Sequence, residues 1–201
     1  MEQILEYLQK TYDPQTLILY GSYADGSQNG GSDFDAFLLS DCSQQVHDVA
    51  VVNGIQLDVF VYPADTVFLP EELTRLYHGK IVTDRMGKGR QLMDTVKTYI
   101  ESYPPRRQED IRKDLVWCEK MVERTLRGDA EGFYRWHWVL CDSLEFYSDI
   151  RGSFYFGPKK TLRSMEQKDP QAFAVYSRAL SAMDRESLVN WVNYLKNQME
   201  G

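Results

Sequence analysis

Hydrophobic periodicity changes character once along this chain, near residue 89, and that change fixes what the chain can fold into. Before it, apolar residues come in short runs of strand length: Thr16 to Tyr20, Asp33 to Leu39, Val46 to Val52 and Ile55 to Tyr62. The last two flank Asn53-Gly54, which suits a type I′ turn because both central residues of that turn need positive φ. A helical segment precedes them, with Ile4, Leu5 and Leu8 on one face and Asp13-Pro14 as its stop. After the change, apolar residues recur every three or four positions over roughly 89–102, 107–127, 130–150, 170–181 and 184–199. Tyr103-Pro104-Pro105, Gly128-Asp129 and Gly157-Pro158 interrupt these segments. In the third, Phe133, Trp136, His137, Leu140, Leu144 and Tyr147 are expected to form the buried stripe. The expected fold is α+β, a mixed sheet with flanking helices over 1–88, followed by an all-α helical bundle over 89–201.

Charge and composition narrow the chemistry. The 23 Lys+Arg against 30 Asp+Glu leave a net charge of −7, a poor match to the clustered cations that bind nucleic acid. The three cysteines, Cys42, Cys118 and Cys141, are far apart and form no CxxC pair, and the three histidines are equally scattered. Neither a disulfide framework nor a transition-metal site is expected. Acidic residues break up the apolar ones at the N-terminus, and no run of about 18 apolar residues occurs, so no signal peptide, no membrane contact and a cytoplasmic location are expected.

The most informative stretch runs from Leu19 to Asp35. An apolar strand ends in Tyr20-Gly21-Ser22, ten residues follow, and Asp33-Phe34-Asp35 opens the next strand. Residues i and i+2 of a strand share a face, so the two carboxylates converge. Like charges held that close repel unless a cation sits between them, and Mg²⁺ is the hard cation that one or two carboxylates plus phosphate oxygens usually hold. A third acid, Asp58, interrupts the apolar strand Gln56 to Val61 and faces away from Leu57, Val59 and Val61. Three acids on one sheet face suit a two-metal phosphoryl-transfer site. Gly21 and Ser22 would add a backbone that approaches a phosphate and a hydroxyl donor, with a following helix N-terminus aimed at the anion. A lone Asp-x-Asp is commonplace in turns, but this conjunction of spacing, strand and third acid is not.

The stretch resembles the nucleotidyltransferase superfamily that includes DNA polymerase β. That superfamily's signature is a hydrophobic residue, Gly, Gly or Ser, a spacer, then Asp-hydrophobic-Asp. Tyr20-Gly21-Ser22 and Asp33-Phe34-Asp35-Ala36 match it, and Asp58 matches the third acid. The resemblance implies transfer of a nucleoside monophosphate from an NTP to a hydroxyl, with pyrophosphate leaving. It places Asp33, Asp35 and Asp58 at Mg²⁺, Asp58 alternatively as the base, and Gly21, Ser22 and Ser32 at the nucleotide. A small transferase domain followed by helices looks like the aminoglycoside and lincosamide nucleotidyltransferase branch, with a small hydroxylated acceptor and a homodimer implied. Within that group a segment like Leu76 to Gly87 closes the first domain, its strand at Lys80–Thr83 joining the sheet.

In the helical region, Trp138, Cys141, Glu145 and Ser148 share a stripe beside the apolar one, with Asp142 adjacent. Relatives of this kind use a carboxylate outside the Asp-x-Asp as general base, which makes Glu145 a candidate and Asp142 a second. A solvated helix face explains the same residues without chemistry. Lys159 and Lys160 open a helix after Gly157-Pro158, and Lys159 is a candidate for the triphosphate. His137 is expected to pack within the bundle. Two other functions fit the same motif: a protein-modifying (AMPylating) or antitoxin-type minimal nucleotidyltransferase, and a degenerate nucleotide-binding module. The intact Gly-Ser and three acids disfavour the last.

Overall fold

A computed structural model describes residues 1–200 and divides the chain into two compact units, Met1–Ser102 and Tyr103–Gly201. The first unit is built on a six-stranded mixed sheet. Its strands are β1 (Thr16–Leu19), β2 (Phe34–Ser40), β3 (Val46–Asp48), β4 (Val51–Val52), β5 (Ile55–Pro63) and β6 (Lys80–Asp84). Their spatial order is β3-β5-β2-β1-β6, with β4 also on β5. Strand β2 runs antiparallel to β1 and parallel to β5, so the central strand joins one hairpin-like partner to one crossover partner. The turn at Asn53-Gly54 has φ of 51° and 76°, the signs a type I′ turn requires.

Alternation along β1, β2 and β5 separates two faces. One face presents Leu17, Leu19, Phe34, Ala36, Leu38, Leu57, Val59 and Val61, which pack with Ile4 and Leu8 of helix α1 (Glu2–Tyr12) into one core. Helix α1 stops where Asp13 takes a left-handed conformation before Pro14. Buried Asp48 ties this helix to the sheet, because its carboxylate accepts the Tyr7 and Tyr12 hydroxyls at 3.0 and 2.8 Å.

The other face carries Ile18, Phe37 and Leu39. It is closed on one side by the 3-10 segment Pro70–Leu76 and by helix α3 (Lys88–Glu101). Two glycines permit that closure. A Cβ on Gly79 would stand 2.9 Å from Ile18 Cγ2, and one on Gly89 would stand 2.7 Å from Thr16 Cγ2. Asp84, at the end of β6, accepts the backbone N–H groups of Gly89 and Arg90 and so starts α3. Arg85 beside it forms an exposed ion pair with Asp13 at 2.6 Å, a contact of little energetic weight.

The second unit is helical: α4 (Gln108–Arg124), α5 (Ala130–Ile150), α6 (Pro158–Lys168), α7 (Pro170–Ala182) and α8 (Arg185–Glu200). Its core surrounds Trp191, whose indole N–H donates to the buried Ser143 hydroxyl at 2.8 Å. Asp129 and Asp169 cap α5 and α7 by accepting the N–H of Gly132 and Ala172. The mixed sheet with flanking helices followed by a helical region is the fold class expected from the periodicity.

The expected stripe on α5 holds at Trp136, Leu140, Leu144 and Tyr147 and is corrected at Phe133 and His137. Gly132, Trp136, Val139, Leu140, Ser143, Leu144, Tyr147 and Ser148 are buried, whereas Phe133 is 54% exposed and His137 faces solvent. The start of the helix sets this phase. A Cβ on Gly132 would lie 3.1 Å from the Thr125 carbonyl, so the close approach to the preceding 3-10 turn selects glycine and turns Phe133 outward. Ser143 fills an inward position because Trp191 needs an acceptor there. No helix of the described residues is long and apolar enough to cross a membrane.

Candidate active site

The site grows from the point where β1 ends. Tyr20 extends the β1–β2 ladder by one bond, its N–H donating to the Asp35 carbonyl at 3.2 Å. Gly21, at φ 64°, then turns the chain into the five-residue helix α2 (Gly21–Asp25). That glycine is required twice over. Its backbone is left-handed, and a Cβ would lie 2.9 Å from Asp35 Cγ and closer still to Oδ2. The motif glycine thus lets a carboxylate from the neighbouring strand lie against the main chain. Ser22 is buried at 4% exposure inside this turn, and its carbonyl accepts the Ser27 N–H at 3.0 Å. Helix α2 is a single turn, so it carries little macrodipole.

Asp33 is exposed just ahead of β2, and Asp35 is half-buried within it. In the parallel pairing of β2 with β5, Asp35 stands directly opposite Asp58. Both lie on the face away from the α1 core, so the sheet sets Tyr20, Asp35 and Asp58 in one row across three strands. Ser32, also a sequence candidate, exchanges hydrogen bonds with Asn29 within its own loop.

Two residues that no motif marks complete the surroundings. His47 of β3 holds Asp58 Oδ1 through Nε2 at 2.6 Å and stacks on Phe60 with ring centroids 4.2 Å apart. Arg75, from the 3-10 segment, lies over the Phe60 ring at 4.6 Å and beside the Tyr20 ring at 5.4 Å. The Tyr20 phenol records the local field. Burial pushes its pKa well above the ordinary value; Arg75 opposes this, and the charges of Asp58 and Asp35 add to it. A hairpin count would have found His47, since the register set at Asn53-Gly54 continues to place it opposite Phe60. Arg75 had no comparable signal, because its segment reaches the sheet through a tertiary crossing.

The remaining sequence candidates belong to the second unit. Glu145 is exposed on α5. Partial desolvation raises its carboxyl pKa, Asp149 adds to the shift, and Arg106 opposes it. Asp142 is raised by desolvation, and the Trp138 side chain, which hydrogen-bonds to it, works the other way. Lys159 is exposed in the first turn of α6, while Lys160 lies over the Phe156 ring at 5.2 Å.

Paired carboxylates suit a hard divalent cation that takes its other ligands from water and phosphate, and Asp35 with Asp58 offers that donor set. Among the described residues no group of three or more His, Cys, Asp or Glu side chains is arranged to hold a metal ion. Asp35 and Asp58 stand opposite each other on neighbouring strands, and Asp33 is exposed just ahead of β2.

A turn-borne glycine under an acidic strand residue, with a second acid in register beside it, is the arrangement this sheet end presents. Comparison with known proteins gives the family. The model of the nucleotidyltransferase domain matches residues 1–124, and the chain belongs to that family. A solved structure with which the chain aligns is a nucleotidyltransferase-like protein from Exiguobacterium sibiricum. It is 11% identical over 98% of this chain and 71% of that one, with a TM-score of 0.42. No curated protein matches the chain.

Proposed function

We propose that this chain is a Mg²⁺-dependent nucleotidyltransferase that moves a nucleoside monophosphate from an NTP to a hydroxyl of a small molecule. The observation that carries the reading is the register match of Asp35 with Asp58, with Gly21 opened beneath Asp35. Asp33 and Asp35 would hold Mg²⁺, with Asp58 as a third ligand where it is not the base, and the ion would supply charge neutralisation at the phosphate oxygens. Gly21 and Ser22 border the phosphate chain. The acceptor oxygen forms a bond to the α-phosphorus, the bond to the β-phosphate oxygen breaks, and pyrophosphate leaves with that electron pair. The acceptor's proton passes to a carboxylate. Asp58 is the leading candidate because His47 anchors one of its oxygens and fixes the orientation of the other. Glu145 is the alternative in the helical unit.

A small acceptor agrees with the charge of −7, which gives a polyanionic nucleic acid no electrostatic welcome. Hydroxylated antibiotics of the aminoglycoside or lincosamide kind are the acceptor class the motif resemblance suggests. The test is a panel of hydroxylated acceptors incubated with labelled ATP, GTP, CTP and UTP, read by mass. A product heavier by one NMP is expected with wild type and absent with Asp35→Asn, which should fold normally. Turnover retained by the folded Asp35→Asn variant would sink the metal assignment. Labelling of a protein instead of any small molecule would move the reading to the protein-modifying class.

A further inference from the structure

We propose that Arg75 is an anion subsite for the phosphate chain of the nucleotide, an assignment that rests on the nucleotidyl-transfer reading above. Its position follows from the sheet. Phe60 lies two residues beyond Asp58 on the same face of β5, and Tyr20 stands beside Asp35 at the end of β1. The Arg75 guanidinium is set over both rings, at 4.6 Å from Phe60 and 5.4 Å from Tyr20, so it overlooks the carboxylate row.

The hydrogen bonding of this guanidinium is unfinished. Rings satisfy its flat face, but its five N–H donors lie in the plane and point outward from the edge. Nη2 donates to the Tyr62 phenol at 3.3 Å, a long bond to a neutral acceptor. Nε is buried and has no hydrogen-bond partner among the described residues. A buried donor left unmade is costly, and native structures usually keep such groups for a reason. A phosphate matches the planar fork of arginine in both geometry and charge.

There is also a functional need for a cation here. A triphosphate that approaches Asp35 and Asp58 meets like charge, and a fixed cation on the same face offsets part of that repulsion before any metal is counted. The Phe60 and Tyr20 rings hold the guanidinium in place, so little reorganisation would accompany binding. Lys159, the sequence candidate for this role, is an exposed flexible side chain on another unit and shows none of this preparation.

The test uses the full chain with Mg²⁺ and compares wild type, Arg75→Gln and Arg75→Lys. Calorimetry measures binding of a nucleoside mono-, di- and triphosphate of the preferred base and of inorganic pyrophosphate, and thermal midpoints report folding. If Arg75 contacts the phosphate chain, Arg75→Gln weakens triphosphate and pyrophosphate binding at least tenfold. The loss should grow with chain length, and Arg75→Lys should fall between. Equal losses for all three nucleotides would make Arg75 a structural plug and overturn the assignment, as would unchanged pyrophosphate affinity in Arg75→Gln. If Arg75→Gln does not fold, Arg75→Lys carries the comparison, because it keeps the charge but not the fork. Wild type that binds neither pyrophosphate nor any NTP overturns the nucleotidyl-transfer reading itself, a result distinct from equal binding by wild type and variant.

Discussion

Gly21, at the start of α2, and Asp35 of β2 occupy the same small volume: the glycine's missing side chain is the space in which the Asp35 carboxylate lies. The sequence motif links them by spacing alone, while the fold makes each a condition for the other. A residue with a Cβ at position 21 would displace Asp35 from its place beside Asp58.

Gly21→Ala therefore has two costs, the left-handed φ of 64° and the collision with Asp35. Unfolding measurements should show a loss of about 1–3 kcal/mol. Nucleotidyl transfer should fall by far more than stability does, because the carboxylate moves. Wild-type activity in a well-folded Gly21→Ala chain would show that the close approach has no functional meaning.

Asp58→Asn separates scaffold from chemistry. Asparagine keeps an oxygen for the His47 contact, so the sheet and its melting temperature should change little. If Asp58 takes the acceptor's proton, turnover should drop by about 10²–10⁴-fold. A drop of that size in Glu145→Gln, with Asp58→Asn close to wild type, would transfer the role to the helical unit.

Asp84 reads as structural. Its carboxylate accepts the Thr16 hydroxyl and the N–H groups of Gly89 and Arg90, and it lies outside the carboxylate row. Burial works to raise its pKa, but those hydrogen bonds prevail and hold it below the ordinary carboxylate value. Asp84→Ala should lower the stability of the first unit by roughly 1–2 kcal/mol, the usual scale for a lost helix cap. NTP affinity in the folded fraction should stay unchanged; a selective loss of NTP binding at full stability would give Asp84 a role at the site.

The helical unit carries its own pH dependence in Asp169. Desolvation works to raise this carboxyl, but the Ala172 N–H, the Tyr194 and Tyr147 hydroxyls and the charge of Arg151 outweigh it. The net result lies below the ordinary value of 3.8. The folded state thus binds the proton less readily than the unfolded one. The stability Asp169 contributes is complete above that ordinary value and is lost as pH falls through the depressed one. Asp169→Asn should cost roughly 1–3 kcal/mol at neutral pH, the range for hydrogen bonds to a charged group. That difference should shrink in denaturant titrations taken below about pH 4. A difference that stayed constant with pH would remove the charge from the explanation.

Local chemistry was legible in the sequence, and phase and crossings were not. Asn53-Gly54 announced its turn because backbone sign is a property of two residues, and the acids of β2 and β5 announced their face because strand alternation has period two. Periodicity alone admits Phe133 and His137 to the inward stripe, because a helix dense in aromatics offers several equally apolar stripes. The choice among them came from Gly132 against the Thr125 carbonyl, a contact between elements. His47 follows from the hairpin register, whereas Arg75 meets Phe60 only once the 3-10 segment has crossed the sheet. The shared face of Asp35 and Asp58, and His47 beside it, were thus readable as positions, and Arg75 was not.

The parallel alignment of Asp35 with Asp58 also guards the fold against its nearest mistake. A strand shifted by one residue exchanges its two faces. In β2 that slip would drive Asp35 into the apolar layer of Ile4, Leu8 and Leu57 and bring Phe34 and Ala36 out. In β5 it would do the same with Asp58. A chain with valine at both positions would have two nearly equivalent pairings open to it, whereas the carboxylates make the shifted one prohibitive. The acids assigned to chemistry thereby act as an error check on assembly, selecting the one alignment in which they can meet.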